Sequence, residues 1–252
     1  EGYSAQLVVD EAIDWLTRGR DPEKPFFLFV CFHEPHEPIA TDQRFADLYP
    51  SDDPSFSAHH GNITQMDHAF GRLMQTLDAM QLREKTLCLF TSDNGPAITR
   101  RHPHGSAGPL RDKKGSLYEG GIRVPGMIRW PGHVTPASTS AEPVCGVDLL
   151  PTLCEITGIE QPGDRPIDGA SLLPILDGKP IQRTTPLYWQ FNRASSRPKV
   201  AMRIGDWKLL AQLSGPELPA GGDILPGDMQ AIKTAELTTL ELYNLRNDIV
   251  EP

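Results

Sequence analysis

Apolar positions change period several times along the chain, and each change predicts a different element. Across residues 4–17, Leu7, Val8, Ala12, Ile13, Trp15 and Leu16 recur at helical spacing, with Ser4 placed as an N-cap. Residues 26–32 are a continuous apolar run, the pattern of a strand covered on both faces. From about residue 62 to 82, Ile63, Met66, Phe70, Leu73, Met74, Leu77 and Met80 return to helical spacing and read as core packing. Residues 86–90 form a second short apolar run, closed by the breakers Gly95 and Pro96. One further strand is predicted over 124–130 and one further helix over 146–158.

This alternation of helix and strand indicates a mostly parallel sheet with helices on both faces. Residues 162–186, rich in Pro, Gly and Asp, mark a boundary. Beyond it the strands are short (186–191, 199–204 and 207–213), and Gly205-Asp206 reads as a two-residue hairpin turn. The expected division is therefore an α/β domain over 1–180 and a small antiparallel subdomain over 181–252, with 215–227 an irregular insertion.

The second apolar run leads straight into Thr91-Ser92-Asp93-Asn94-Gly95-Pro96. In open α/β sheets, ligands bind beyond the carboxyl ends of the strands. A carboxylate beside an amide oxygen offers hard oxygen ligands of the kind calcium or magnesium takes. Taken alone, Asp-Asn-Gly reads first as an ordinary turn. Further on, Lys114 supplies a compact cation suited to an oxyanion such as sulfate or phosphate. It lies in a long loop, 95–121, and long loops without regular structure are usually functional.

Read in order, Asp93-Asn94-Gly95-Pro96, the segment from Gly105 through Pro109-Leu110-Arg111, the run Lys114-Gly115-Ser116-Leu117-Tyr118-Glu119-Gly120-Gly121 and Trp130-Pro131-Gly132 resemble the type I, formylglycine-dependent sulfatases of the arylsulfatase and N-acetylgalactosamine-6-sulfatase kind. Lys24-Pro25-Phe26-Phe27, His33-Glu34-Pro35-His36, Asp168-Gly169-Ala170-Ser171, Gly205-Asp206-Trp207-Lys208-Leu209 and Leu242-Tyr243-Asn244-Leu245 extend the resemblance over nearly the whole chain. It implies an alkaline-phosphatase-like α/β fold, present in part, with a C-terminal four-stranded antiparallel sheet and a helix. It also implies roles: Asp93 and Asn94 as metal ligands, Lys114 as the sulfate-contacting lysine, and His36 as the histidine that helps protonate the leaving oxygen. His33 and His104 are implied substrate-site residues. Calcium is the implied cation ahead of magnesium. Two-zinc relatives read Asp-His-Gly at this point, and imidazole suits zinc better than an amide oxygen does.

The family carries its nucleophile in Cys- or Ser-x-Pro-x-Arg. None of Cys31, Cys88, Cys145 and Cys154 begins such a motif, and no serine does. The resemblance therefore implies a C-terminal portion of a longer domain, with formylglycine and an aspartate pair in the missing N-terminal half. The expected substrate is an organic sulfate ester, a sulfated carbohydrate or aryl sulfate. The alternatives are a phosphonate or phosphate monoester hydrolase of the same superfamily and a catalytically inactive sulfatase-like module.

Composition narrows the partners. A formal charge of −9 argues against nucleic acid, whose backbone needs a basic face. No apolar run reaches the roughly 20 residues of a membrane helix. The four cysteines read as structural thiols rather than disulfides. Resemblance alone points to a periplasmic, secreted or lysosomal location. Arg111, Glu119 and Arg123 are expected to pair structurally, Asp168 to cap its own turn, and Trp189, Gln190, Asn192 and Arg193 to rim the pocket.

Overall fold

The computed structural model describes residues 2–252. They divide into two compact units, Glu1–Thr86 with Ala97–Gly105, and Leu87–Pro96 with Ser106–Pro252.

The first unit is helical. α1 (Ser4–Asp14) runs on into a π-helical turn at Trp15–Gly19, followed by the single-turn α2 (Gln43–Ala46) and the long α3 (Pro54–Ala79). α3 begins before its apolar stripe because its start is set by capping. The Asp53 side chain accepts from the Ser55 amide at 2.9 Å, and Pro54 occupies the first turn, where its missing N–H costs nothing. α1 packs on α3, and Ala5, Val9 and Ala12 of α1 and Ala69, Leu73 and Leu77 of α3 are buried. Ser4 is the first helical residue rather than the cap. The Ala5 amide is satisfied at long range by the buried carboxylate of Glu34, at 2.7 Å, which also places negative charge at the positive end of the helix dipole.

Residues 26–32 are not a strand. They have no regular structure and no ladder partner among the described residues, and Phe27 and Phe29 are 71% and 75% exposed. A strand exists only where a neighbour takes its backbone groups, and the apolar pattern by itself does not supply one.

In the second unit β1 (Cys88–Thr91) pairs with β2 (Gly126–Arg129), Cys88 opposite Arg129 and Thr91 opposite Gly126. The pairing is antiparallel, and no parallel pair occurs among the described residues. The connection between them holds one helical turn, α4 (Glu119–Ile122), and otherwise loop. α5 (Leu149–Thr157) ends at Gly158 in the left-handed region, and α6 (Leu173–Leu176) follows.

The chain then builds a four-stranded antiparallel sheet from β3 (Leu187–Gln190), β4 (Val200–Ile204), β5 (Trp207–Leu213) and β6 (Leu237–Asn244), in that order, with α7 (Met229–Thr234) before β6. Gly205-Asp206 makes the β4–β5 turn, with Gly205 at φ +56°. Leu117, Tyr118, Ala194, Ala201 and Leu210 form a core here, with Ile122, Trp189 and Tyr243 packed on it. All four cysteines are free thiols, and no helix among the described residues is long and apolar enough to cross a membrane.

Asp148 is wholly buried ahead of α5. It accepts from the amides of Cys145 and Ala170, at 2.8 and 2.9 Å, and from both terminal nitrogens of Arg183, at 2.6 and 2.7 Å. It thus caps the 168–171 turn, the role expected of Asp168. Arg183→Ala in the full-length protein would strand this carboxylate. The expected loss is about 3 kcal/mol or more in denaturant unfolding.

Candidate functional site

Asp93, Asn94 and Lys114 all lie in the second unit, and backbone contacts tie them together. The Asp93 carboxylate accepts from the Asn94 amide at 2.9 Å, and the Asn94 side-chain amide donates to the Gly95 carbonyl at 3.0 Å. The Asn94 side-chain oxygen accepts no hydrogen bond among the described residues. Gly95 N donates to Gly121 O at 2.9 Å, Lys114 N to Pro96 O at 3.0 Å, and Gly120 N to Arg111 O at 2.8 Å. The turn after β1 and the lysine loop therefore share one hydrogen-bonded frame.

Glycines make that frame possible. A Cβ on Gly95 would overlap the Gly120 carbonyl oxygen. One on Gly120 would overlap the carbonyls of Arg111 and Asp112, and one on Gly121 those of Lys113 and Ser116. Each obstacle is backbone and cannot swing aside. The loop is held from its other side by residues 193–196. Ser195 N donates to Gly115 O at 2.7 Å, and Leu117 N donates to Ser196 Oγ at 3.1 Å.

On this frame Lys114 is half-buried, and its ammonium makes no ion pair among the described residues. In a chain of net charge −9, a lysine held in place without a carboxylate partner is available to an external anion. The donors of Asp93 and Asn94 are oxygens only, which fits a hard cation. No group of three His, Cys, Asp or Glu residues able to hold a metal occurs among the described residues, so these two donors make only part of a coordination shell.

His33, His36 and His104 belong to the first unit. His33 and His36 meet edge to face, ring centroids 5.6 Å apart, and His36 Nδ1 lies 2.7 Å from the Glu37 carbonyl oxygen. Glu34, between them, anchors this loop by capping α1. Its value escaped the sequence reading because nothing local reveals a cap contributed from 29 residues away. His104 lies 2.8 Å from Ser55 Oγ and 3.2 Å from the Asp53 carboxylate, beside His59 and His60. Of the expected rim residues, Arg193 is buried and structural. It pairs with Asp228 at 2.7 Å and donates to the carbonyls of Pro219 and Gly221.

A family profile described as Sulfatase matches residues 1–159. The chain belongs to the sulfatase family. A second profile, described as N-sulphoglucosamine sulphohydrolase, C-terminal, matches residues 110–217 of this sulfatase chain. Steryl-sulfatase of Rattus norvegicus is 38% identical over 69% of the chain and 30% of its own length. N-acetylgalactosamine-6-sulfatase of Mus musculus is 30% identical over 90% of the chain and 42% of its own length. The chain thus spans well under half the length of these curated relatives. Among solved structures, Ps i-CgsB in complex with k-i-k-neocarrahexaose superposes with a TM-score of 0.80 at 24% identity, covering 99% of this chain and 50% of that one. PsFucS1 sulfatase from Pseudoalteromonas sp. gives 0.74 at 25% identity, covering 98% and 47%. The fold is that of the alkaline-phosphatase-like sulfatases.

Two expectations follow for the full-length protein. Gly120→Ala forces backbone apart and should cost about 1–3 kcal/mol. Gly71→Ala, in mid-α3 with open space around it, should instead gain up to about 1 kcal/mol. Chemical denaturation of the two variants separates them.

A third expectation concerns pH. Burial holds His59 below the ordinary imidazole value of 6.5, with repulsion from His60, His104 and His102 adding to it. As pH falls through 6.5, the unfolded chain binds a proton that folded His59 refuses. Stability should therefore drop from that point down to the folded pKa and be unaffected above it. Melting temperatures between pH 7.5 and 5 should show this loss, and His59→Gln should reduce its slope.

Proposed function

We propose that this chain forms the metal- and sulfate-binding part of a sulfuric ester hydrolase acting on an organic sulfate ester, a sulfated glycan or aryl sulfate. The observation that carries the reading is Lys114, a half-buried lysine without an ion-pair partner, fixed by backbone hydrogen bonds beside the Asp93-Asn94 turn. Its ammonium neutralises one sulfate oxygen and holds it while charge builds toward the leaving oxygen. A preorganised charge of this kind needs no reorganisation during the reaction. Asp93 and Asn94 would hold the cation, calcium in preference to magnesium, through their side-chain oxygens. When bound, that ion supplies Lewis-acid polarisation of the same anion.

His36 takes the proton-donor role by family likeness. With Nδ1–H donating to the Glu37 carbonyl, Nε2 is the nitrogen left to face the departing alcohol oxygen, and it delivers a proton from the ring form that is protonated on both nitrogens. His33 beside it and His104 are assigned to substrate contact. The N-acetylgalactosamine-6-sulfatase relative supports a sulfated sugar as substrate. The family's formylglycine nucleophile has no motif within these residues, so no attacking group is assigned here. The α/β portion over 1–180 would carry the chemistry and 181–252 would support it.

Asp93→Ala and Lys114→Ala in the full-length protein should each lower sulfate-ester turnover by about a hundredfold or more, the cost of removing a transition-state charge partner. Near-normal rates would remove that residue from the site. Assayed side by side, a sulfate monoester should be preferred over the matching phosphate monoester. The reverse preference would make the protein a phosphate or phosphonate hydrolase on the same frame.

A further inference from the structure

Lys208 is the largest fully buried side chain described, at 0% exposure on β5, and an isolated ammonium there would be strongly disfavoured. It is held by two carboxylates. Its Nζ lies 2.9 Å from Glu119 Oε1 and 2.8 Å from Glu251 Oε1. The Glu119 backbone amide donates to the other oxygen of Glu251, closing a ring of three residues drawn from α4, β5 and the segment after β6. Arg203 and Arg123 approach the remaining Glu119 oxygen at 3.6 and 3.7 Å. Burial pushes the Glu251 carboxyl up, against the pull of Lys208.

The ring is joined to the lysine loop by a second set of contacts. The Arg111 guanidinium donates to the Glu251 carbonyl and lies 3.7 Å over the Tyr118 ring. Arg111 O receives Gly120 N, one residue after Glu119. The α-carbon of Gly121 rests against the carbonyls of Lys113 and Ser116, on either side of Lys114 and Gly115. Both ends of the 111–121 loop are thereby tied to a single buried charge. An apolar core would hold α4 against the sheet without fixing its direction. A buried ammonium with two oxygens at under 3 Å fixes it.

We propose that Lys208 and Glu251 are positioning residues for Lys114, orienting the sulfate-binding loop through Glu119 without touching substrate. This rests on the assignment of Lys114 under the proposed function. Neither residue was given a role from its motif. Yet Lys208 shares a strand face with Leu210 by the period of two, an internal place for a charge.

The test uses the full-length protein with Glu251→Gln, which keeps shape and the acceptor for Glu119 N while removing charge, and Lys208→Met. Amide hydrogen exchange is read across 111–121 and, as an internal reference, across the β3–β4 hairpin. Steady-state kinetics on a sulfate ester are measured beside Lys114→Ala, well below each variant's melting temperature. In Glu251→Gln, exchange in 111–121 should quicken about tenfold with the hairpin unchanged, and kcat should fall about tenfold with KM within about twofold, since misplacement by an ångström can cost up to about a hundredfold. Unchanged loop exchange, or quickened exchange with normal kcat while Lys114→Ala is inactive, overturns the proposal. If Lys114→Ala itself keeps full activity, the sulfate-site reading falls and the positioning proposal falls with it, and the exchange data then show only whether the ring orders the loop. If Lys208→Met does not fold, Glu251→Gln alone decides.

Discussion

Three close backbone approaches govern this structure: Gly95 on Gly120, Gly120 on Arg111 and Asp112, and Gly121 on Lys113 and Ser116. In each, a Cα stands where no side chain fits, so two loops far apart in sequence become one layer of peptide. Hydrogen bonds between Gly95 and Gly121 and between Lys114 and Pro96 then close it. The consequence for chemistry is geometric. Asp93 and Asn94 sit at the end of β1 and Lys114 at the turn of a long loop, and a flexible loop would spread that lysine over many positions. With its backbone fixed, the loop itself needs no ordering on meeting an anion, and only the lysine side chain has freedom left to lose.

Electrostatics complete what packing begins. The chain is acidic, yet the cations near this frame have different partners. Lys208 is claimed by Glu119 and Glu251, Arg203 and Arg123 by Glu119, and Arg111 by the Glu251 carbonyl and the Tyr118 ring. Lys114 alone of this group lacks a protein partner among the described residues. The partnered charges hold the loop in place. Arg183 and Asp148 repeat the device ahead of α5, where a buried carboxylate organises two turns through their amides.

Much of this was legible in the sequence because it is local. The hairpin turn at Gly205-Asp206, the short strands around it and the helix within 146–158 follow from period and turn chemistry. What was not legible is long-range. The α1 cap comes from Glu34 rather than Ser4, the 168–171 turn is capped by Asp148 rather than Asp168, and Arg193 turns inward to Asp228 rather than to a pocket rim. In each case a residue of the expected chemistry stood nearby, and the position was filled by one distant in sequence. Residues 26–32 failed for a related reason: their composition suits a strand, but strand structure is a property of a pair. The family motifs pointed to Lys114 and the Asp93-Asn94 turn, while the glycine approaches that join these two segments appear only in three dimensions.

If the Asp93-Asn94 turn, held on the Lys114 loop, is a hard-cation and anion site, calorimetric titration of calcium into chelator-stripped full-length protein, wild type against Asp93→Ala, will show it. One calcium per chain should bind the wild type, and the variant should lose that binding event or weaken it severely. Equal calcium binding by both proteins, or none by the wild type, would mean that the Asp93-Asn94 turn is not the cation site.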